Sequence, residues 1–305
     1  MITYDKESDK FLLSGDFNDI EMNHPLSIGW LVTWKCNLYC MHCYWNEEEL
    51  PSDLSSEDAQ IVCNKIIDSW IKRISLSGGE PMIRKDIFDI IQRLSEAWIW
   101  VILSSNGLNI PNNISRLTWV RHVEISLDWA SKDIHDKIRP QRIASSSPFE
   151  IWLDAIWALT HAWIKTRVLT TLNRFNINEL FEMWKILSDL HLNEWHIGKT
   201  TNAWRARFTY SNLMKNVSFD DLMLRKLQDA FPNIEIQFNY PSKTSKYYAL
   251  VMPNGYMTTQ DYVTWEKIAL GSLLEKPVNS FWNKENYDIN GHYIKWLNIN
   301  PETIK

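Results

Sequence analysis

The chain has 305 residues, 45% hydrophobic and 23% charged, the balance of a soluble globular protein built around one large domain. A net charge of -5 excludes the basic footprint of a nucleic-acid binder. The opening "MITYDKESDKFLLSG" lacks a basic and apolar leader, and no apolar run approaches the ~18 residues of a membrane span, so the cytoplasm is the expected compartment.

In chain order, "SIGWLVT" (27–33) reads as a strand running directly into a group of cysteines. A helix starts near Ser55, where Ser55 and Asp58 have capping-box spacing, and Ala59, Val62, Cys63, Ile66 and Ile67 recur along one face. "IKRISLS" is then a strand ending in "GGEP". A second helix follows with Asp86 as its N-cap and Ile87, Ile90, Ile91 and Leu94 on one side. "VILSS" and "HVEISLD" are the next strands. A helix over 148–162 leads to the strand "TRVLTTLN", and a helix over 178–190 leads to a sixth strand, "NEWHIGK". Strands alternating with helices of this length predict βαβ units in a parallel sheet or barrel. After Lys199 the rhythm weakens into a helix, "FDDLMLRKLQDAF", and short strands and turns in "IEIQFN", "YYALVMPNGYMTT" and "KIALGSLL".

Polar residues gather at the C-terminal strand ends: Ser77-Gly78-Gly79-Glu80, Ser104-Ser105-Asn106, Ser126-Leu127-Asp128 and Asn173-Arg174. In parallel α/β proteins that edge carries the ligand site. The cysteines Cys36, Cys40 and Cys43 fall within eight residues beside it, a layout that suits a metal or cluster and not disulfides. Three soft thiolates fit an iron–sulfur cluster or zinc. Structural zinc would want a fourth ligand, for which His42, His24 and Cys63 are candidates at no familiar spacing. Cys63, on the apolar face of its helix, reads as buried packing. His122, His135, His161 and His196 read as ordinary surface or boundary histidines.

"WKCNLYCMHCYW" with "SLSGGEP", "SSNG" and "ISLD" resembles the radical S-adenosylmethionine (AdoMet) enzymes over roughly residues 26–198. The resemblance implies an α/β fold, a partial (β/α)6 TIM-like barrel over residues 26–210, after an N-terminal segment (1–25) and before a short α+β C-terminal extension (211–305). It implies a [4Fe–4S] cluster on Cys36, Cys40 and Cys43, with AdoMet on the fourth iron, cleaved reductively to a 5′-deoxyadenosyl radical that abstracts a substrate hydrogen. Gly78, Gly79 and Glu80 match the motif for the methionyl amino group. Ser126 and Asp128 match the position that contacts the ribose or methionyl end, with Asn106 beside them. His42 takes the usual aromatic position near adenine, Arg139 resembles an arginine that faces the AdoMet carboxylate, and Asn173 and Arg174 face substrate. A small flavodoxin- or ferredoxin-like electron donor and exclusion of oxygen are implied too.

The stretch 247–282 resembles the opening of the SPASM-like C-terminal region of peptide-modifying and cofactor-maturing members. That region's auxiliary-cluster cysteines are missing, since no cysteine follows Cys63. The substrate expected is therefore a peptide or a small-molecule cofactor precursor, with no nucleic-acid or membrane partner. The alternative is a zinc- or cluster-stabilised binding protein of the same fold that has lost catalysis.

Composition poses a separate question: 17 Trp stand against 9 Gly, where an average chain of this length carries about 21 Gly. Trp70, Trp98 and Trp163 occupy helix C′ positions, where a left-handed residue is wanted. "SLDW" and "AWRAR" stand where the family has "SLDG" and "GRAR". Trp45, Trp70, Trp98, Trp100, Trp129, Trp152, Trp157, Trp163, Trp184, Trp204 and Trp265 thus read as glycines encoded by UGA, and Trp195 and Trp282 as true tryptophans.

Overall fold

The strand–helix rhythm folds into a single ten-stranded sheet whose six central strands are parallel and consecutive. The computed structural model describes residues 2–5, 10–13, 27–43, 51–142, 147–200, 202, 205–218, 221–230, 233–239, 247–261 and 267–281. A hairpin, β1 (Ile2–Asp5) and β2 (Lys10–Leu13), precedes the core. The central strands are β3 (Ser27–Thr33), β4 (Arg73–Gly78), β5 (Trp100–Ser105), β6 (His122–Ser126), β7 (Thr166–Leu172) and β8 (Glu194–Lys199).

Helices link them: α1 (Ser56–Ile67), α2 (Ile87–Glu96), α3 (Lys132–Ile138) with α4 (Pro148–His161), and α5 (Leu180–Asp189). The Ser55 hydroxyl caps α1 as its spacing predicts, accepting the Asp58 N–H at 3.0 Å. Asp86 precedes α2 without a side-chain cap, because both its oxygens are held by Arg84 at 2.7 and 2.9 Å. Ile87, Ile90, Ile91 and Leu94 are all buried, each stabilising the packing by roughly 2 kcal/mol. Cys63 is fully buried among them, as expected.

The later elements are α6 (Ala206–Leu213), α7 (Asp221–Ala230), β9 (Glu235–Asn239), β10 (Tyr247–Val251), β11 (Tyr256–Asp261) and β12 (Lys267–Ser272). They extend the same sheet at both edges. β9 adds in parallel to β8, and β10 adds in parallel to β3 and carries the antiparallel β11 and β12. The order is β12-β11-β10-β3-β4-β5-β6-β7-β8-β9, an open sheet and not a closed barrel. No helix among the described residues is long and apolar enough to cross a membrane.

Four helix-to-strand turns end on a left-handed residue: Trp70 (φ 60°), Trp98 (φ 63°), Trp163 (φ 58°) and His191 (φ 55°). After α2 the Trp98 and Ile99 N–H groups bond Ser95 O and Leu94 O, and after α4 Trp163 and Ile164 bond Thr160 O and Leu159 O. Both are Schellman closures, which favour glycine at C′.

The sheet face away from the helices carries an ionic layer. Ser104 and Arg167 both donate to Glu124, at 2.5 and 2.8 Å, while Arg167 and Lys165 hold Glu194 at 2.5 and 2.6 Å. Register puts Ser104, Glu124, Arg167 and Glu194 side by side across four strands. His122 and His196 flank this layer and are buried, against the surface or boundary position expected for them; His161 is exposed.

Candidate functional site

β3 leaves the sheet at Thr33 into the cysteine loop, which neighbouring strand ends hold from several sides. Gly79 N–H donates to Thr33 O at 2.9 Å and Glu80 N–H to Lys35 O at 2.8 Å. A Cβ on Gly79 would stand 2.1 Å from Lys35 O, and one on Gly78 (φ +139°) 2.5 Å from Thr33 O, so only glycines let this turn lie against the loop. The segment after α3 straps the other side: Tyr39 N–H bonds Pro140 O, Met41 N–H bonds Ile138 O, each at 2.9 Å, and Arg142 N–H bonds Asn37 O at 3.0 Å. Ala206 N–H reaches Cys43 O at 3.0 Å, and the Thr209 hydroxyl reaches Met41 O at 2.8 Å. Asn106 adds a side-chain bond from Nδ2 to Asn37 Oδ1 at 2.7 Å. The strap acts through backbone groups and has no side-chain signature in the sequence.

Cys40 is buried, and Cys36 and Cys43 are half-buried. Burial pushes the Cys40 thiol up to about 12, with Arg139 acting the other way. Past the end of β6, Asp128 is fully buried and takes three donors. His42 Nε2 lies 3.0 Å and Arg139 Nε 2.5 Å from Oδ2, and Thr171 N–H donates to Oδ1 at 2.6 Å. Burial opposes ionisation of Asp128, but Arg139 and His42 outweigh it and hold the carboxyl well below the usual range. Arg139 also points Nη1 at Cys40 Sγ, 3.8 Å away. His42 is lowered, first by burial, so it is neutral, with Nε2–H given to Asp128. Its Nδ1 is buried and finds no hydrogen-bond partner among the described residues.

The Glu80 carboxylate is occupied by the fold: Met82 N–H and the Ser105 hydroxyl donate to Oε1, and Asn106 N–H donates to Oε2 at 2.7 Å. It braces the end of β4 to the end of β5, and burial raises it to about 7. Ser126 closes β6 two residues before Asp128. Asn173 is fully buried in its own turn, accepting Phe175 N–H at 3.0 Å, while Arg174 is exposed over the Phe175 ring. Sequence reasoning missed Asn176, whose Nδ2 bonds both Asp128 O and Thr171 O at 2.9 Å and fixes the Asp128 backbone.

Beside this site is a knot of aromatic rings. Trp129 and Trp152 are fully buried around His135, which is buried too and not at the surface. The Trp129 and Trp152 indole nitrogens and both His135 nitrogens find no hydrogen-bond partner among the described residues.

A family model for the radical SAM superfamily matches residues 30–187, more than half of the chain. The chain belongs to the radical SAM superfamily. The AdoMet-dependent heme synthase of Oleidesulfovibrio alaskensis is 29% identical over 175 residues, covering 56% of this chain and 44% of the relative. Mycofactocin maturase MftC of Mycobacterium tuberculosis is 26% identical over 172 residues, covering 55% of this chain and 43% of the relative. The chain thus spans about half the length of the curated relatives it matches. Among solved structures, Streptococcus suis SuiB bound to S-adenosylmethionine superposes with a TM-score of 0.67 at 15% identity, over 87% of this chain and 67% of SuiB. SuiB bound to its precursor peptide SuiA superposes equally well, at 0.67 and 14% identity, over 89% of this chain and 66% of SuiB. The superfamily is one of enzymes whose members bind a [4Fe–4S] cluster and AdoMet, and the open parallel sheet is its partial-barrel fold.

The residues present suit those groups. Three thiols share one braced loop, the glycine turn leaves backbone where any Cβ would collide, and a buried imidazole nitrogen is unpartnered. Among the described residues no three His, Cys, Asp or Glu side chains converge on one point as a single metal ion would require. Three thiolates holding a multi-iron cluster would not need to converge on one point.

Proposed function

We propose that this chain is a one-cluster radical AdoMet enzyme that takes a hydrogen atom from a peptide or a small-molecule cofactor precursor, with residues 26–210 as its core. The carrying observation is the cysteine loop, clamped by backbone bonds at the strand edge beside Gly78, Gly79 and Asp128. Cys36, Cys40 and Cys43 would hold three irons. When bound, the cluster and AdoMet supply a reductively generated 5′-deoxyadenosyl radical.

The chain's own work is binding, orientation and exclusion of water. Gly78 and Gly79 open the backbone to the methionyl amino group, and Glu80 holds that turn in place through its three donors. Ser126 and Asn106 stand at the strand ends toward the ribose and methionyl end. Asp128 sets the His42 tautomer, leaving Nδ1 as an acceptor on the adenine side. A groove of about 770 Å³ beside Cys36, with Lys35, Arg84, Lys85 and Arg142 against Asp53 and Asp86 in its wall, offers a net cationic approach for a small acidic flavodoxin- or ferredoxin-like donor. The relatives named for heme synthesis favour a cofactor precursor, while the maturase and the SuiA-bound SuiB favour a peptide.

We infer further that the eleven tryptophans named above are glycines in the protein as its host makes it, UGA being read as glycine. Three of them sit at left-handed φ near 60°. Trp152 crowds Gly107, where a Cβ would meet its ring at 2.4 Å, and Trp129 and Trp152 strand buried indole N–H groups. Trp195 behaves differently: its Nε1 donates to the Thr170 hydroxyl at 2.8 Å, as a true tryptophan's should. Trp45, Trp204 and Trp265 lie outside the described residues. Peptide mass spectrometry from the native host decides it, and tryptophan at 70, 98 and 163 would overturn it.

The test of the activity uses a variant with glycine at the eleven positions, reconstituted without oxygen, given AdoMet and a strong reductant. The expected result is 5′-deoxyadenosine that Cys40→Ala abolishes. A full iron and sulfide complement with no product, across candidate substrates of both classes, would favour the non-catalytic binding protein.

A further inference from the structure

We propose that Arg139 is a positioning residue for the cluster, donating a hydrogen bond to the Cys40 sulfur and thereby raising the cluster's reduction potential. This rests on the reading that Cys40 holds a cluster iron.

The backbone puts the two residues face to face. Leu38 bridges Gln141 in antiparallel sense, and Tyr39 and Met41 bond Pro140 and Ile138. The bonds from Tyr39 and Met41 flank Cys40 just as Pro140 and Ile138 flank Arg139, so the end of α3 sets Arg139 against Cys40. The guanidinium is then aimed by Asp128, which holds Nε at 2.5 Å while Nη1 lies 3.8 Å from Cys40 Sγ. Asp128 is itself fixed by Thr171 N–H on Oδ1 and by Asn176 on its carbonyl. Both residues are buried, so water does not compete for the sulfur. Two of the three guanidinium nitrogens are committed to Asp128 and Cys40, which moves Arg139 away from the AdoMet carboxylate and toward the cluster.

A donor on a ligating sulfur withdraws electron density from the iron and favours the reduced, more negative cluster. Asp128 cancels most of the guanidinium's charge at a distance, so the remaining effect is local to Cys40. The reduced state is the one that must be populated for AdoMet cleavage, and Arg139 would make it reachable for a cellular donor.

The experiment is an EPR-monitored redox titration without AdoMet on the glycine-bearing parent, Arg139→Gln and Arg139→Lys, with AdoMet affinity measured separately by equilibrium dialysis. Arg139→Gln is expected to lower the ratio of reduced to oxidised cluster about tenfold at a fixed poise, equal to about 59 mV for one electron. Arg139→Lys should fall between the two. An unchanged potential in an assembled cluster overturns the proposal, and weakened AdoMet binding at unchanged potential returns Arg139 to the carboxylate. Should Arg139→Gln take up no iron, Arg139→Lys decides by the same criterion. Failure of both to assemble the cluster overturns it as well, making Arg139 a folding requirement. A parent that takes up no [4Fe–4S] cluster would instead sink the enzyme reading beneath it.

Discussion

Trp163 holds 95% of its surface in solvent on a left-handed backbone, so it gains little from burial while bearing the full conformational penalty. A non-glycine residue there costs about 1–2 kcal/mol, and glycine returns part of that as unfolded-state entropy. Trp163→Gly in the tryptophan form should therefore stabilise it by about 1 kcal/mol in a urea titration. Trp163→Ala, which keeps a Cβ, should recover much less. Glu80 gives the opposite case, with every donor that meets it already placed by the backbone or by Ser105. Glu80→Gln turns an amide toward an N–H that expects an acceptor and should cost about 1–3 kcal/mol by the same measurement. The glycine turn, the three cysteines and the Trp anomaly were all legible as residue types at fixed spacing. What Glu80 does was not, because two of its three donors lie 25 and 26 residues further along the chain.

Among elements, the βα units were readable because periodicity and caps are local: Ser55 and the apolar faces of α1 and α2 sit as their spacing dictates. The strap of residues 138–142 was not readable, since it holds the cysteine loop with backbone groups that every residue carries. The buried histidines were misread for a related reason. His122 and His196 each lie beside a carboxylate of their own strand, Glu124 and Glu194, at 3.6 and 3.7 Å, but the layer that buries them is closed by Arg167 from a strand 43 and 27 residues away. That layer depends on Arg167, which bonds both acids. Arg167→Met should leave two largely buried carboxylates underpaired and destabilise the apo-protein by about 3–5 kcal/mol in denaturant unfolding.

For the whole molecule, the same burial sets an acid limit. Burial, then Arg167, pushes His196 down to about 4 against the pull of Glu194, and burial pushes His135 to about 2. Both lie below the ordinary 6.5, so the stability they confer is complete above pH 6.5 and is lost as pH falls from there toward 4 and lower. Glu80, raised to about 7, works in the opposite sense, its contribution being lost as pH rises from 4.5. With more histidines than raised carboxyls, the apo-protein's urea midpoint should fall between pH 6.5 and 4, and His196→Gln should flatten that slope. The brace on the cysteine loop has a consequence in time. Thr209 grips Met41 from 168 residues downstream, and Arg139 reaches Cys40 across 99. A ribosome must therefore release most of the sheet before the three thiols are held in place. Iron arriving earlier would meet a loose peptide, so loading of the proposed cluster would be a late step in the birth of this protein.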